Sequence, residues 1–134
     1  MIRRFVQRAW AVTALLVCAL SNATALAQPL RAVPLAKGLE HPWAVAFLSN
    51  GRFLVTERPG RLRVVEADGR IGQPVAGVPP VAAGGQGGLL DVVTDSAFAS
   101  NRTLYFCFSE PGSGGNSTAL ARARLSDDLS RLED

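Results

Sequence analysis

Short runs of strand-forming residues separated by tight turns limit the fold of this chain more than any other feature. After the first 27 residues helical periodicity is nearly absent, and β-branched and other apolar residues fill the runs. Asn50-Gly51 follows the first run, and this dipeptide is a strong hairpin signal because both residues tolerate positive φ. Gly60 and Gly69 end the next two turns. The pattern predicts four strands, at residues 43–48, 52–57, 61–66 and 74–78.

The strand pattern then begins again. Further strands are predicted at residues 89–93, 103–109 and 118–125, with the Gly/Ser-rich residues 111–117 as a hairpin connection. In both units the second strand ends in a hydroxyl residue followed by Glu, first at Thr56-Glu57 and then at Ser109-Glu110. A repeat of about 40–50 residues with four strands is typical of a β-propeller blade. We therefore predict an all-β fold of the β-propeller class, with a plain β-sandwich as the alternative.

The predicted strands are too few to close a propeller. Propellers typically have about 4–8 blades, whereas the pattern supplies one full blade and three strands of a second. An open two-blade piece would leave sheet edges unpaired and one apolar face uncovered. We therefore expect residues 28–134 to be the N-terminal part of an incomplete propeller domain.

The first 27 residues have the pattern of a secretory signal peptide. Arg3, Arg4 and Arg8 precede an apolar run at residues 9–20, and Ala25-Leu26-Ala27 matches a cleavage site. The apolar run is too short to span a membrane, so no membrane span is expected after cleavage. A periplasmic or secreted location is the corresponding prediction.

The charge balance and the cysteine content argue against a nucleic-acid or membrane partner and against an intrachain disulfide. Three of the fourteen basic residues lie in the leader, which leaves eleven basic against eleven acidic residues in the mature part. This balance does not favour nucleic acid or an anionic membrane as a partner. Cys18 leaves with the leader, so Cys107 has no intrachain disulfide partner. Its setting between two phenylalanines indicates a buried, inert thiol.

One glycine-rich segment is the strongest candidate for a functional loop. Residues 83–93 read AGGQGGLLDVV, with Gln86 between two pairs of glycines, and we call residues 84–88 the Gly-Gln loop. Glycine loses more conformational freedom on folding than other residues, so either something approaches this backbone closely or the turn is unusually tight. A dinucleotide site is excluded, because a strand-like run rather than a helix follows the glycines. A solvated turn between blades remains the alternative.

Four segments, in order, resemble the soluble pyrroloquinoline-quinone (PQQ)-dependent aldose sugar dehydrogenases, a family of six-bladed propellers. They read GLEHPWAVAFL from Gly38, LVTERPGRL from Leu54, GQGGLLDV from Gly85 and LSDDL from Leu125. The resemblance implies a secreted quinoprotein that oxidises aldose sugars to lactones by hydride transfer to PQQ. It also implies Ca²⁺ as a second cofactor and an external electron acceptor as a partner.

The same resemblance assigns one site residue. It implies that Gln86 contacts the quinone, and it assigns no catalytic or metal-binding residue, because the family's catalytic His, Arg and Ca²⁺ ligands have no match in the 134 residues. We therefore expect the chain by itself to be inactive. Two alternative functions stay open, namely a metal-dependent hydrolase of the lactonase kind and a binding scaffold without chemistry.

For the other polar residues that could belong to a functional site, we expect structural roles. His41 is the only histidine. It precedes the first strand and is expected to help begin that strand rather than to act as a base. Asp91 is expected to be buried and to stabilise the glycine-rich turn. Asp127-Asp128 is expected to form a solvated turn rather than a Ca²⁺ site.

Overall fold

The computed structural model describes residues 29–133, and the chain divides into two units, residues 1–33 and 34–134. The predicted signal peptide at residues 1–27 lies outside the described residues. Of the first unit only residues 29–33 are described, and they form neither helix nor strand. All the strands described below belong to the second unit. Within residues 29–133, no helix is both long enough and apolar enough to cross a membrane.

The first four strands form an antiparallel meander, which we call sheet 1. They are β1 (Pro42–Phe47), β2 (Phe53–Glu57), β3 (Arg61–Val65) and β4 (Ile71–Pro74). The turn before β2 is a single turn of 3₁₀ helix in which Asn50 has a φ of 59°, as the Asn-Gly signal predicts. β4 lies earlier than the predicted residues 74–78, because Ile71 already pairs with Val65.

The other four strands form a second antiparallel meander, sheet 2. They are β5 (Leu89–Thr94), β6 (Thr103–Gly112), β7 (Gly115–Leu125) and β8 (Leu132–Glu133), with a short helix α1 (Phe98–Asn101) after β5. The expectation of three strands in this unit is wrong, since β8 pairs with the end of β7. The hairpin connection predicted at residues 111–117 is confirmed, but it is shorter than predicted, because β6 and β7 stay paired up to Gly112 and Gly115.

β6 and β7 extend beyond the rest of sheet 2 as a two-stranded ribbon, residues 110–118. β5 pairs with β6 only as far as Phe108, whereas the pairing of β6 with β7 continues to Gly112. The residues of the ribbon are exposed accordingly. The ribbon projects at the end of sheet 2 at which β5 begins.

The hydrophobic core lies between the two sheets, because alternate side chains of a strand point to one face. On β1 the intervening Trp43, Val45 and Phe47 point away from this core and are 46%, 51% and 74% exposed. Sheet 1 is therefore apolar on both faces, as expected of a blade that has a neighbour on each side. The buried members of the core are Ala46, Leu54, Leu62, Val64, Val75, Leu89, Val92, Leu104, Phe106, Phe108 and Leu125.

Candidate functional site

The Gly-Gln loop immediately precedes β5, and one residue of β6 holds the chain on both sides of it. Before the loop, the N–H of Ala82 donates to the carbonyl oxygen of Ser109 at 2.8 Å. At its end, the N–H of Ser109 donates to the carbonyl oxygen of Gly88 at 2.9 Å, and the N–H of Gly88 donates to the Ser109 hydroxyl oxygen at 3.1 Å. Ser109 is 6% exposed, so these three hydrogen bonds are shielded from solvent.

Within the loop, Gly84 and Gly87 close a tight turn. The N–H of Gly87 donates to the carbonyl oxygen of Gly84 at 2.7 Å. Gly85 has a φ of 52°, in the left-handed region that glycine adopts without steric cost. Gln86 comes next and is exposed. The turn therefore presents Gln86 to the surroundings, and its contact with a quinone remains a prediction.

The two pairs of glycines have different neighbours. A Cβ atom on Gly88 would lie 2.4 Å from the carbonyl oxygen of Arg58, and one on Gly87 would lie 2.9 Å from the Ser109 hydroxyl oxygen. At both glycines of the first pair, no atom of the described chain lies within 4 Å of such a Cβ. Close packing inside the protein therefore accounts for the second pair. The first pair leaves an open surface that a ligand can approach.

Arg58 and His41 join sheet 1 to the beginning of β5. The carbonyl oxygen of Arg58 accepts the N–H of Leu89 at 3.0 Å, and the N–H of Arg58 donates to the His41 carbonyl oxygen at 3.1 Å. His41 has a φ of 46° directly before β1, so it has the strand-start role that the sequence predicts. Sequence reasoning did not single out Arg58, whose Arg-Pro-Gly context signals only a turn.

A buried carboxylate lies at the same end of sheet 1. Glu57 is 1% exposed and accepts hydrogen bonds from the Glu40 N–H at 2.5 Å and from Arg61 Nε at 2.6 Å. Nη1 of Arg63 lies 3.6 Å from the same carboxylate, and Arg61 also contacts the Glu40 carboxylate at 2.6 Å. Glu57 therefore ties the segment before β1 to both β2 and β3.

The surroundings of Glu57 keep it ionised. Burial by itself raises the pKa of Glu57, but hydrogen bonds from Arg61 and the Glu40 N–H, together with the charges of Arg61 and Arg63, outweigh burial and lower the pKa. The hydrogen bonds to Glu57 and Glu40 in turn raise the pKa of Arg61. These groups form a structural ion cluster beside the Gly-Gln loop rather than a proton-transfer site.

The first acidic residue after the loop does not have the predicted environment. Asp91 is exposed, so the expectation of a buried Asp that stabilises the turn is wrong. A register shift between Leu89 and Val92 changes the side-chain alternation there. Within the part of the chain that the structure describes, no group of three or more His, Cys, Asp or Glu side chains is placed to hold a metal ion.

The Asp127-Asp128 pair forms an exposed turn between β7 and β8, as predicted. Hydrogen bonds from the hydroxyl groups of Ser126 and Ser130 and from the Ser130 N–H lower the pKa of Asp128 to about 2. Asp127 contacts Arg124 at 3.2 Å. The expectation of a buried thiol at Cys107 is wrong, since this residue is only partly buried. Its side chain points to the opposite face of β6 from those of the buried Phe106 and Phe108.

Comparisons with known proteins agree on one family. The family model for glucose/sorbosone dehydrogenase matches residues 39–134. Aldose sugar dehydrogenase YliI of Escherichia coli is 44% identical over 121 residues, which cover 89% of this chain and 33% of that protein. The chain therefore spans about a third of the length of this curated relative.

Solved structures give the same result. A structure of a glucose dehydrogenase superimposes with a TM-score of 0.72 and 53% identity, covering 75% of this chain and 32% of that chain. The PQQ-bound form of aldose sugar dehydrogenase from Streptomyces coelicolor superimposes with a TM-score of 0.65 and 28% identity, covering 74% of this chain and 30% of that chain. The predicted β-propeller class is confirmed, and sheets 1 and 2 are two of its blades.

Proposed function

The chain belongs to the glucose/sorbosone dehydrogenase family, and on that basis we propose that its gene product oxidises an aldose sugar with PQQ as the cofactor that accepts the electrons. The observation that carries this proposal is the Gly-Gln loop, which presents Gln86 beside an open backbone surface. The name of the E. coli relative and the quinone bound to the S. coelicolor relative support the same chemistry for this protein.

The loop residues fit a contact with a flat, polar quinone. The Gln86 carboxamide carries both donors and an acceptor, so it can pair with a quinone carbonyl or with a carboxylate. Gly84 and Gly85 have no side chains on the open side of the loop, so a ring system can lie against their backbone. We propose that Gln86 binds and orients the cofactor. Ca²⁺ is a second proposed cofactor of the complete protein, none of its ligands is assigned to this chain, and no step proposed here depends on it.

The proposed reaction is the conversion of a cyclic aldose to a lactone. A hydride leaves C1 of the sugar and a proton leaves the C1 hydroxyl group, so two electrons leave and a C1 carbonyl remains. When bound, PQQ supplies the acceptor for those two electrons, which then pass to an external electron acceptor. We assign the proton to no residue of this chain, because His41 has a structural position at the start of β1.

Two further parts of the proposal concern the chain as a whole. The 134 residues span about a third of the E. coli relative, and the catalytic groups implied by family resemblance have no match among them. We therefore propose that these residues alone do not oxidise sugars. The leader at residues 1–27 supports export, so we place the protein in the periplasm or outside the cell.

The proposal is tested with the product of the complete reading frame that contains these residues. PQQ is titrated against the wild type, Gln86→Ala and the matched control Gln73→Ala, which removes an exposed carboxamide from β4. Binding is followed by tryptophan fluorescence and turnover by reduction of a dye in the presence of glucose. We expect Gln86→Ala to raise the Kd for PQQ about tenfold, the effect of losing one hydrogen bond to the cofactor. The control is expected to bind like the wild type.

The same preparation separates the alternative functions. Dye reduction that does not depend on added PQQ would contradict the proposal, as would an unchanged Kd in Gln86→Ala. Hydrolysis of a lactone without quinone would favour the metal-dependent hydrolase, and the absence of any turnover or quinone binding would favour the scaffold. The 134-residue chain alone, supplied with PQQ, Ca²⁺ and glucose, is expected to give no turnover above background.

A further inference from the structure

Ser109 makes three hydrogen bonds at the two ends of the Gly-Gln loop. Its carbonyl oxygen accepts from Ala82, its N–H donates to Gly88, and its hydroxyl oxygen accepts from the N–H of Gly88, at 2.8, 2.9 and 3.1 Å. One residue of β6 therefore fixes both the entry and the exit of the loop. The Ser109 hydroxyl oxygen also lies 2.9 Å from the position that a Cβ on Gly87 would occupy.

The corresponding hydroxyl group in sheet 1 makes different contacts. Thr56 is the next-to-last residue of β2, at the repeat position that corresponds to Ser109. Its Oγ1 accepts the N–H of Ala44 at 3.0 Å. The same hydroxyl donates to the carbonyl oxygen of Leu90 at 2.7 Å. In both sheets the hydroxyl group thus satisfies a backbone N–H beside a register shift of the neighbouring strand. Only Ser109 makes this contact with the end of a loop that carries an exposed polar side chain.

The loop between these anchors has little other support. Gly84 and Gly85 have open space where side chains would be, and Gln86 is exposed. Beyond the turn closed by Gly84 and Gly87, the hydrogen bonds that join the loop to sheet 2 are those between Gly88 and Ser109. Arg58 of sheet 1 supports the end of the loop, because Gly88 packs closely against it and its carbonyl oxygen accepts the N–H of Leu89.

We infer that Ser109 is a positioning residue that holds the Gln86 carboxamide at the place where it meets the quinone. This inference rests on the proposed function of Gln86. Ser109 itself is buried and does not touch the cofactor in this account, so it acts only through the loop. Removal of its hydroxyl group is expected to leave both backbone hydrogen bonds in place and to free the N–H of Gly88.

The first experiment follows the loop itself by amide hydrogen exchange. In Ser109→Ala, exchange at Gly88 and within residues 84–88 is expected to become about tenfold faster, as the loss of one buried hydrogen bond predicts. The core strands β2 and β6 are expected to keep their protection. Ser109→Thr retains the hydroxyl group and is expected to restore slow exchange. Ser113→Ala, at the exposed tip of the ribbon, is the matched control and is expected to change nothing.

The second experiment measures the coupling between Ser109 and Gln86 with the product of the complete reading frame. Ser109→Ala is expected to raise the Kd for PQQ about fivefold to tenfold, and Ser109→Thr to return it to within about twofold of the wild type. In the Gln86→Ala background, Ser109→Ala is expected to have no additional effect on Kd. This non-additivity distinguishes positioning of Gln86 from a general loss of stability.

The possible contrary results separate failure of this inference from failure of the proposed role of Gln86. If Ser109→Ala weakens quinone binding equally with and without Gln86, or speeds exchange uniformly over both sheets, the inference is wrong. If Gln86→Ala weakens binding but Ser109→Ala does not, the inference fails and the proposed function stands. If Gln86→Ala itself leaves the Kd unchanged, the proposed role of Gln86 fails, and the inference fails with it.

Discussion

Replacing Glu57 with Gln tests the ion cluster beside the Gly-Gln loop. The substitution keeps the size of the side chain but removes the charge that accepts from Arg61 Nε and the Glu40 N–H. Hydrogen bonds to a charged group contribute about 1.5–3 kcal/mol each. Gln retains one acceptor oxygen, and Arg61 is 32% exposed, so its charge regains some water. We therefore expect the free energy of unfolding to fall by about 2–3 kcal/mol at pH 7.

The pH dependence of this difference is fixed by the lowered pKa of Glu57. Because the folded pKa lies below the ordinary value of 4.5, ionised Glu57 stabilises the fold fully above that value. Its contribution is lost as the pH falls through the folded pKa. The difference between the wild type and Glu57→Gln is therefore expected to be constant from about pH 7 to pH 5 and to narrow below that range.

The assay is urea unfolding followed by tryptophan fluorescence at several pH values, with thermal unfolding as a second measure. Both are measured on the product of the complete reading frame, in which a loss of this size is expected to lower Tm by a few degrees. Glu110→Gln is the matched control, because Glu110 has the equivalent repeat position but is exposed on the ribbon. Its effect is expected to stay within about 0.5 kcal/mol. Equal stability of Glu57→Gln and the wild type, or a difference that does not narrow in acid, would contradict this role of Glu57.

Two further substitutions test the local geometry. Gly88→Ala brings a methyl group 2.4 Å from the Arg58 carbonyl oxygen and is expected to destabilise the fold by more than about 2 kcal/mol. The control Gly114→Ala, where no described atom lies within 4 Å of the added methyl group, is expected to destabilise the fold far less. Similar urea midpoints for the two variants would contradict this prediction. Asp128→Ala is expected to speed amide exchange at Ser130 and Arg131. Because the pKa of Asp128 is about 2, the wild-type turn is expected to stay protected from amide exchange down to about pH 4 and to lose this protection only in stronger acid. Loss of protection between pH 5 and 6 would contradict this prediction.

Local signals were sufficient to predict most of the fold. The strands of sheet 1 follow from apolar runs bounded by turns such as Asn50-Gly51, because those turns depend only on the residues in them. The repeat of four strands predicts the propeller class. The extension of β6 and β7 into the ribbon could not be predicted in this way, because it depends on pairing between residues far apart along the chain.

The site was predictable only in part, for a related reason. Two pairs of glycines mark the Gly-Gln loop, but the sequence does not show that one pair packs against Arg58 and Ser109 while the other is open. Glu57 and Glu110 follow hydroxyl residues in the same repeat position, yet Glu57 is buried and Glu110 is exposed. Arg61 and the Glu40 backbone bind only the first of them. The repeat therefore identifies equivalent positions but not their surroundings.

The proposed function depends on contact between the Gln86 carboxamide and the quinone, which nuclear magnetic resonance can detect. Glutamine side chains are labelled with ¹⁵N in the product of the complete reading frame, and the Gln86 and Gln73 signals are assigned with the two alanine variants. On addition of PQQ, we expect a large shift of the Gln86 side-chain NH₂ signals and no shift of those of Gln73. Saturable binding of PQQ with no change at Gln86 would contradict this expectation.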